Sequence, residues 1–324
     1  MESSRSPRDV MVVAYRLGNK HLPQYASPFS RRDFTLPQLF ACLALRQFYN
    51  LSYRRAQALL ADAGDLRAAV GLARAPDHNT LCDAFDALAR LDAFAPMLDE
   101  LAAAFEDAGL LRLDAGPAAA DSTYFESRHV SRHFERRKRE TSAKAGGGGG
   151  GEEPKDAGGS ATRAATVKGL PKLGIAVACA CHLILSVWTG TGAGGDHPSL
   201  EPLAYHAWRR APVRAFVLDA GYDAEASHEL IREDLACASL IPPRIGRPTD
   251  KPPATHYRAM MARLLAAEAD GGDEAARAAY GQRWQVETVN SMLKRNYGSA
   301  LRAATPERRE REMLLKVMVH NMAL

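Results

Sequence analysis

The chain contains no apolar run long enough to cross a membrane. Its longest, IAVACACHLILSV at 175–187, is broken by His182 and falls short of the roughly 20 residues that a spanning helix needs. The leading residues, MESSRSPRDV, carry charge without an apolar core behind it, so no signal peptide is expected. Cysteine is sparse. Five are scattered at 42, 82, 179, 181 and 237, an odd count without framework spacing, which argues for reduced thiols and a cytoplasmic protein. The CACH run at 179–182 has no second pair to complete a zinc site, so a buried strand with two small thiol side chains is expected there. There is no GxxxxGK[ST] or dinucleotide fingerprint, which excludes a nucleotide cofactor, and no internal repeat. Charge of either sign is not in excess. Against 42 Lys and Arg stand 38 Asp and Glu, net +4. That balance permits nucleic-acid binding, but local clusters must supply it.

What is present is a globular composition, 46% hydrophobic over 324 residues, with room for one large domain or two ordinary ones. Residues 1–34 are polar and interrupted by Pro7, Pro23 and Pro28, and read as an irregular arm. Residues 35–112 carry helical periodicity in four runs, with Ser52 as an N-cap and Gly64 as a stop. They predict a small all-helical domain, compatible with a helix-turn-helix for DNA, although Asp83 and Asp86 on the would-be reading helix oppose phosphate. From 113 to 324 the pattern becomes α/β, with strands followed by helices. A first strand ends at Asp121, two buried strands lie within KLGIAVACACHLILSVWTGTG, and another ends in VLDAGYD. A Gly-rich insert at about 145–160 reads as a flexible loop. Ahead of it, Arg128, Arg132, Arg136, Arg137, Lys138 and Arg139 are set against only Glu135 and Glu140, a cluster that invites phosphate contact. Arg244 and Arg247 lie in a second basic, Pro-rich loop.

The segment YGQRWQVETVNSMLKR, 280–295, predicts a helix. At about 100° per residue, Tyr280, Arg283, Glu287 and Lys294 share a stripe roughly 60° wide, with Val286, Val289, Met292 and Leu293 on the other side. Such a stripe is either a solvated face with its own ion pairs or a carboxylate flanked by cations for phosphate. Partners for Glu287 exist elsewhere. Asp121 and Asp219 both close strands and stand 98 residues apart, with Glu287 a further 68 along. Strand ends are where open α/β sheets form ligand sites. Three hard oxygen donors suit Mg²⁺, with Mn²⁺ as substitute, better than zinc, and paired divalent ions serve phosphodiester chemistry.

AADSTYF, VLDAGYD and YGQRWQVETVNSMLKR resemble the three signature blocks of the DDE transposases of bacterial insertion sequences, insertion-sequence family four and its relatives. Tyr280, Arg283, Glu287 and Lys294 match that family's Y-x2-R-x3-E-x6-K spacing at every position. HPSLEPL, IPPRIGRP and VMVHNMAL add to the likeness, which covers about 113–324. The resemblance implies an RNase H-like mixed sheet flanked by helices, with Asp121, Asp219 and Glu287 as catalytic metal ligands. It implies that Tyr280, Arg283 and Lys294 hold phosphates near the cleaved end, with Trp284 at the stripe's margin to stack on a displaced base or to pack in the core. It also implies double-stranded DNA as partner, both element ends and target, a homodimer on that DNA, cut-and-paste transposition, and a nucleoid-associated bacterial location. The Gly-rich insert matches no family block, and the 68-residue step leaves no room for the β-insertion of some relatives. Two other readings fit the same residues: a domesticated DNA-binding derivative, and a metal-dependent nuclease without strand transfer.

Overall fold

The structure, a computed structural model, describes residues 6–112, 116–127, 170–192, 197–244, 253–266 and 271–324. The arm expected over 1–34 is largely a helix, α1 (Pro7–His21). Pro7 starts it rather than breaking it, because proline at a first helical position gives up an N–H that has no partner there anyway. Ser6 caps it by accepting from the Asp9 N–H, and Val10, Met11, Ala14 and Leu17 form a buried stripe at helical spacing. Next comes α2 (Leu36–Phe48), closed at its start by a capping box between Thr35 and Gln38. Then follow α3 (Tyr53–Asp62), α4 (Gly64–Ala69), α5 (His78–Ala89) and α6 (Phe94–Asp107). Ser52 caps α3 as expected. Gly64, expected as a stop, instead opens α4, and the turn between the two helices is made at Ala63.

The strands are β1 (Ala118–Tyr124), β2 (Glu126–Ser127), β3 (Pro171–Ala178), β4 (Ile184–Thr191), β5 (Ala215–Leu218), β6 (Ala238–Leu240) and β7 (Ala300–Leu301). Five of them form one sheet in the order β4-β3-β1-β5-β6. β3 runs antiparallel to both β4 and β1, whereas β1, β5 and β6 are parallel. This mixed sheet after a helical region is the arrangement expected of an RNase H-like α/β domain. The CACH run is a correction to the expected strand. Cys179 and Cys181 lie in the β3–β4 turn, where His182 adopts φ 61°, and burial raises both thiols, Cys179 to about 12.

The remaining helices are α7 (His197–Arg210), α8 (Glu225–Glu229, prolonged by a π-helical turn, Leu230–Asp234), α9 (His256–Leu264), α10 (Glu274–Tyr280), α11 (Trp284–Tyr297) and α12 (Pro306–Met322). They cover the two faces of the sheet differently. Ala118, Ala120, Phe216 and Leu218 pack with Leu203 and Ala207 of α7 and with Ile231. Ala119, Val217, Ile175 and Val177 pack with Val286, Val289 and Leu293 of α11 and with the apolar side chains of α12. The alternation follows the two-residue period of a strand. That second core is continuous with the apolar side chains of α1, α2, α5 and α6, so the amino-terminal helices and the sheet close around α12. α12 is buried from Glu312 to Met322. Its Asn321 serves the sheet directly, accepting from the Ile184 N–H at 3.0 Å and donating to the Ile184 carbonyl at 2.8 Å. Among the described residues, no helix is long and apolar enough to cross a membrane.

Candidate active site

Asp121 was expected to end its strand. β1 in fact continues to Tyr124 along β3, but its parallel pairing with β5 stops at Ala120. The register of that pairing joins Ala118 to Phe216, Ala119 to Val217 and Ala120 to Leu218. Those pairs share the 98-residue offset that separates Asp121 from Asp219, so the next step of the register sets the two carboxylates side by side. The strand period also fixes their face. Asp121 follows Ala119 by two, and Asp219 follows Val217 by two, which puts both on the side covered by α11. Asp219 is exposed and caps the 3₁₀ turn Ala220–Tyr222, accepting from the Ala220 N–H at 2.7 Å.

The segment carrying the stripe is not one helix. α10 ends at Tyr280, a 3₁₀ turn occupies Gly281–Arg283, and α11 begins at Trp284. The tighter turn lies against β1 and β5, so the backbone winds up where it meets the strand ends. The expected apolar side is buried at Val286, Val289 and Leu293, with Met292 half-buried. On the polar side, Arg283 pairs with Glu287 at 2.7 Å. Burial opposes the Arg283 charge, but Glu287, with Tyr280 and Asp219 adding, outweighs it and raises the guanidinium pKa. Burial raises the Tyr280 hydroxyl, Arg283 pulls it back, and Asp219 and Glu287 raise it again. Tyr280, Arg283, Glu287 and Asp219 therefore occupy one electrostatic neighbourhood.

Lys294 sits seven residues beyond Glu287, about 10 Å along the helix axis, and faces the other aspartate. Burial lowers its pKa, while Asp121 and Glu126 pull it upward. Its ammonium also lies 5.9 Å from the centre of the Phe125 ring. The two cations thus bracket the two strand ends, Arg283 toward Asp219 and Lys294 toward Asp121. Trp284 is 53% exposed, which removes core packing as the reason for its size.

Asp223, four residues after Asp219, has a different setting. Its side chain is wholly buried and accepts from Arg258 Nε and Nη2, both at 2.8 Å, and from the Arg244 N–H at 2.8 Å. Burial would raise this carboxyl, but those donors hold it below the ordinary carboxylate range. Glu225 extends the clamp by accepting from the Tyr257 and Arg258 N–H groups at the start of α9. Sequence reading did not find Arg258; with no recognisable spacing to Asp223, it could be found only by folding α9 back onto α8. Arg244 was expected to meet DNA. Its backbone serves Asp223 and its side chain is exposed. Arg128, Arg132, Arg136, Arg137, Lys138, Arg139 and Arg247 lie outside the described residues, as does the Gly-rich insert.

A mixed sheet of this order after a helical region is the arrangement of an RNase H-like domain. Residues 119–322 match the model of the transposase DDE domain. The chain belongs to that family, and is thereby a metal-dependent phosphoryl transferase that acts on DNA. Comparison with curated proteins gave no match, and neither did comparison with solved structures.

Proposed function

We propose that the protein is a transposase of the insertion-sequence family-four type, which cuts DNA at the ends of its element and joins the freed ends to a target. The observation that carries this reading is the register that sets Asp121 beside Asp219 under α11, with Arg283–Glu287 and Lys294 on either side. In this reading Asp121, Asp219 and Glu287 hold Mg²⁺, for which Mn²⁺ substitutes. The donor set fits, being all carboxylate oxygen, hard and anionic. Among the described residues no three His, Cys, Asp or Glu side chains already form a cage, and Glu287 is engaged by Arg283 at 2.7 Å. Glu287 therefore joins the aspartates by giving up that ion pair, which frees Arg283 for a phosphate. Divalent metal held by these carboxylates would supply activation of an attacking oxygen and stabilisation of the leaving one.

The chain's own residues then position the DNA. Arg283 can take two phosphate oxygens at once, whereas Lys294 acts as a point charge on the far side of the aspartates. Tyr280, half-buried and with its hydroxyl pKa raised, keeps its proton and donates a hydrogen bond. In strand transfer the 3′-oxygen of the cut end bonds to a target phosphorus as that phosphorus releases its own 3′-oxygen, which leaves as a hydroxyl once protonated. One bond is exchanged for another and no nucleotide is consumed. Two copies, one on each element end, complete the assembly in this reading.

The test uses purified protein, Mg²⁺, a duplex carrying the element's terminal repeat and a supercoiled target, with cleaved and joined products scored separately. Joined product that requires the divalent ion is expected. Cleavage without joining would replace this reading with that of a nuclease. Binding without either would replace it with that of a domesticated DNA-binding protein.

A further inference from the structure

Asn290 lies on α11 three residues after Glu287 and four before Lys294, so the three share one side of the helix. It is only 7% exposed, and its Oδ1 has no hydrogen-bond partner among the described residues. A buried acceptor left empty costs free energy, and such groups are few in folded proteins. The packing does not call for an amide here. Val286, Val289 and Leu293, its neighbours toward the sheet, are apolar and buried, and a leucine of nearly the same shape would fill the place without that cost.

The height of Asn290 against the sheet follows from two anchors. At one end, the Cys179 N–H donates to the Pro117 carbonyl at 3.1 Å, and the Cys179 thiol donates to the Gln282 carbonyl at 3.6 Å. His182 meets Gln285 beside it. Gln282 is therefore level with Pro117, just ahead of β1. At the other end, Lys294 faces Asp121 and Glu126, so α11 runs in the same direction as β1. Four residues of strand carry the chain about 13 Å from Pro117 to Asp121, and eight residues of helix carry it about 12 Å from Gln282 to Asn290. Asn290 thus stands level with Asp121 and with Asp219 beside it, between Arg283 and Lys294.

The chemistry of the empty position narrows its occupant. An amide Oδ1 accepts a hydrogen and has none to give. A phosphodiester, charged and without a proton, has none to give either, so the DNA backbone cannot fill the position. A hydroxyl can. In the reaction proposed above the attacking group is a hydroxyl at both stages, that of water when the end is cut and the terminal 3′-OH when it is joined. We propose that Asn290 is a catalytic residue whose Oδ1 accepts a hydrogen bond from that attacking O–H and so fixes its direction of attack. This rests on placing the reaction at Asp121, Asp219 and Glu287. Asn290 takes no proton itself. The attacking oxygen gives one up to solvent as its bond to phosphorus forms, and the departing 3′-oxygen takes one up as its bond breaks.

The test compares the full chain with Asn290→Leu and Asp219→Ala on a duplex carrying the element's terminal repeat. In the first arm the end is already cut, Mg²⁺ is present and target is absent. Kd is measured for an end bearing the terminal 3′-OH and for the same end lacking it. The unmodified chain should prefer the hydroxyl about three- to tenfold, and Asn290→Leu should bind both alike. In the second arm, cleavage and joining should fall about 10- to 100-fold in Asn290→Leu, while its melting temperature stays at or above that of the unmodified chain. Should Asn290→Leu fail to fold, Asn290→Ala carries the hydroxyl comparison. A preference for the hydroxyl undiminished in the variant would overturn the proposal, because a trapped water would then be what Oδ1 holds. Full cutting and joining by Asn290→Leu beside an inactive Asp219→Ala would also overturn it, and would leave the reading of the site in place. An active Asp219→Ala would sink both.

Discussion

Asp219 and Asp223 belong to one turn after β5, and the regions they serve are built differently. Around Asp223 the charges are matched and closed: a buried carboxylate, a two-pronged Arg258, and Glu225 fastening the start of α9. Around Asp219 the carboxylates, its own and that of Glu287, are exposed. Asp219 itself accepts from its own turn, and Glu287 is met by Arg283 of the 3₁₀ turn just ahead of α11. A carboxylate saturated by donors from several elements is committed to holding them together. One left at a strand end, with cations nearby but not on it, is available for a ligand. Sequence reading took Asp219, the first acid of VLDAGYD, for the constellation; Asp223, the second, is spent on Arg258 and the Arg244 N–H.

The largest expected effect breaks that comparison outright. Asp219→Ala, Asp121→Ala and Glu287→Ala should each reduce Mg²⁺-dependent strand cleavage by about 1,000-fold or more, since loss of a metal-holding group removes several kcal/mol of transition-state stabilisation. Melting temperature should barely move in the Asp219 and Glu287 variants, whose side chains are exposed. Retained cleavage in any of the three would strike that residue from the constellation.

Asp223→Asn should do the converse. Removing one partner of a buried pair destabilises by about 3–5 kcal/mol, so a clear fall in melting temperature is expected, with any loss of activity following loss of fold. The sign with pH follows from the depressed pKa of Asp223. Its contribution is complete above the unfolded value of about 4 and is lost as pH falls through the lower folded value. Melting curves of the unmodified chain should therefore decline below about pH 4, and Asp223→Asn should flatten part of that decline. Parallel curves for the two proteins would show that the clamp contributes little.

Smaller again are the effects of the two cations. Arg283→Ala and Lys294→Ala should cut cleavage or joining by about 10-fold, or ~1.4 kcal/mol, at nearly constant melting temperature. If the stripe were ordinary surface, each substitution would cost an ion pair worth about 0–1 kcal/mol and no activity. Arg283→Lys separates the two further, because a point charge replaces the two-pronged contact.

Much of the candidate site could be proposed from the chain because its pattern is written locally. The Y-x2-R-x3-E-x6-K spacing lies within one helical segment, and the two aspartates close strands whose apolar runs are plain. The sheet order and the face that Asp121 and Asp219 share could be anticipated only from the fold class. What stayed hidden was either non-local or masked by proline. Arg258 meets Asp223 across 35 residues. α1 was obscured because Pro7 in a polar stretch looks like a break unless the Ser6 cap and the buried stripe behind it are weighed together. The 3₁₀ turn at Gly281–Arg283 left no mark either, since its residues keep a helical pattern while the tightening comes from contact with β1 and β5.

Trp284 offers the smallest effect and the finest division between the two regions. At 53% exposure it covers little core, so Trp284→Ala should alter stability by no more than about 0.5 kcal/mol, the range for surface changes. It opens α11 directly after Arg283, at the edge of the open, under-matched region. Stacking of an unpaired base on an aromatic ring is worth about 1–3 kcal/mol, and a partly exposed indole should give the lower end. Trp284→Ala should therefore weaken binding of an element end with an unpaired terminal nucleotide by about fivefold, and Trp284→Phe should recover most of that. A fully paired end should bind both variants like the unmodified chain. If paired and frayed ends lost affinity equally, the indole would be touching the DNA backbone or the neighbouring Arg283 rather than a base, and the open region would be reading phosphates alone.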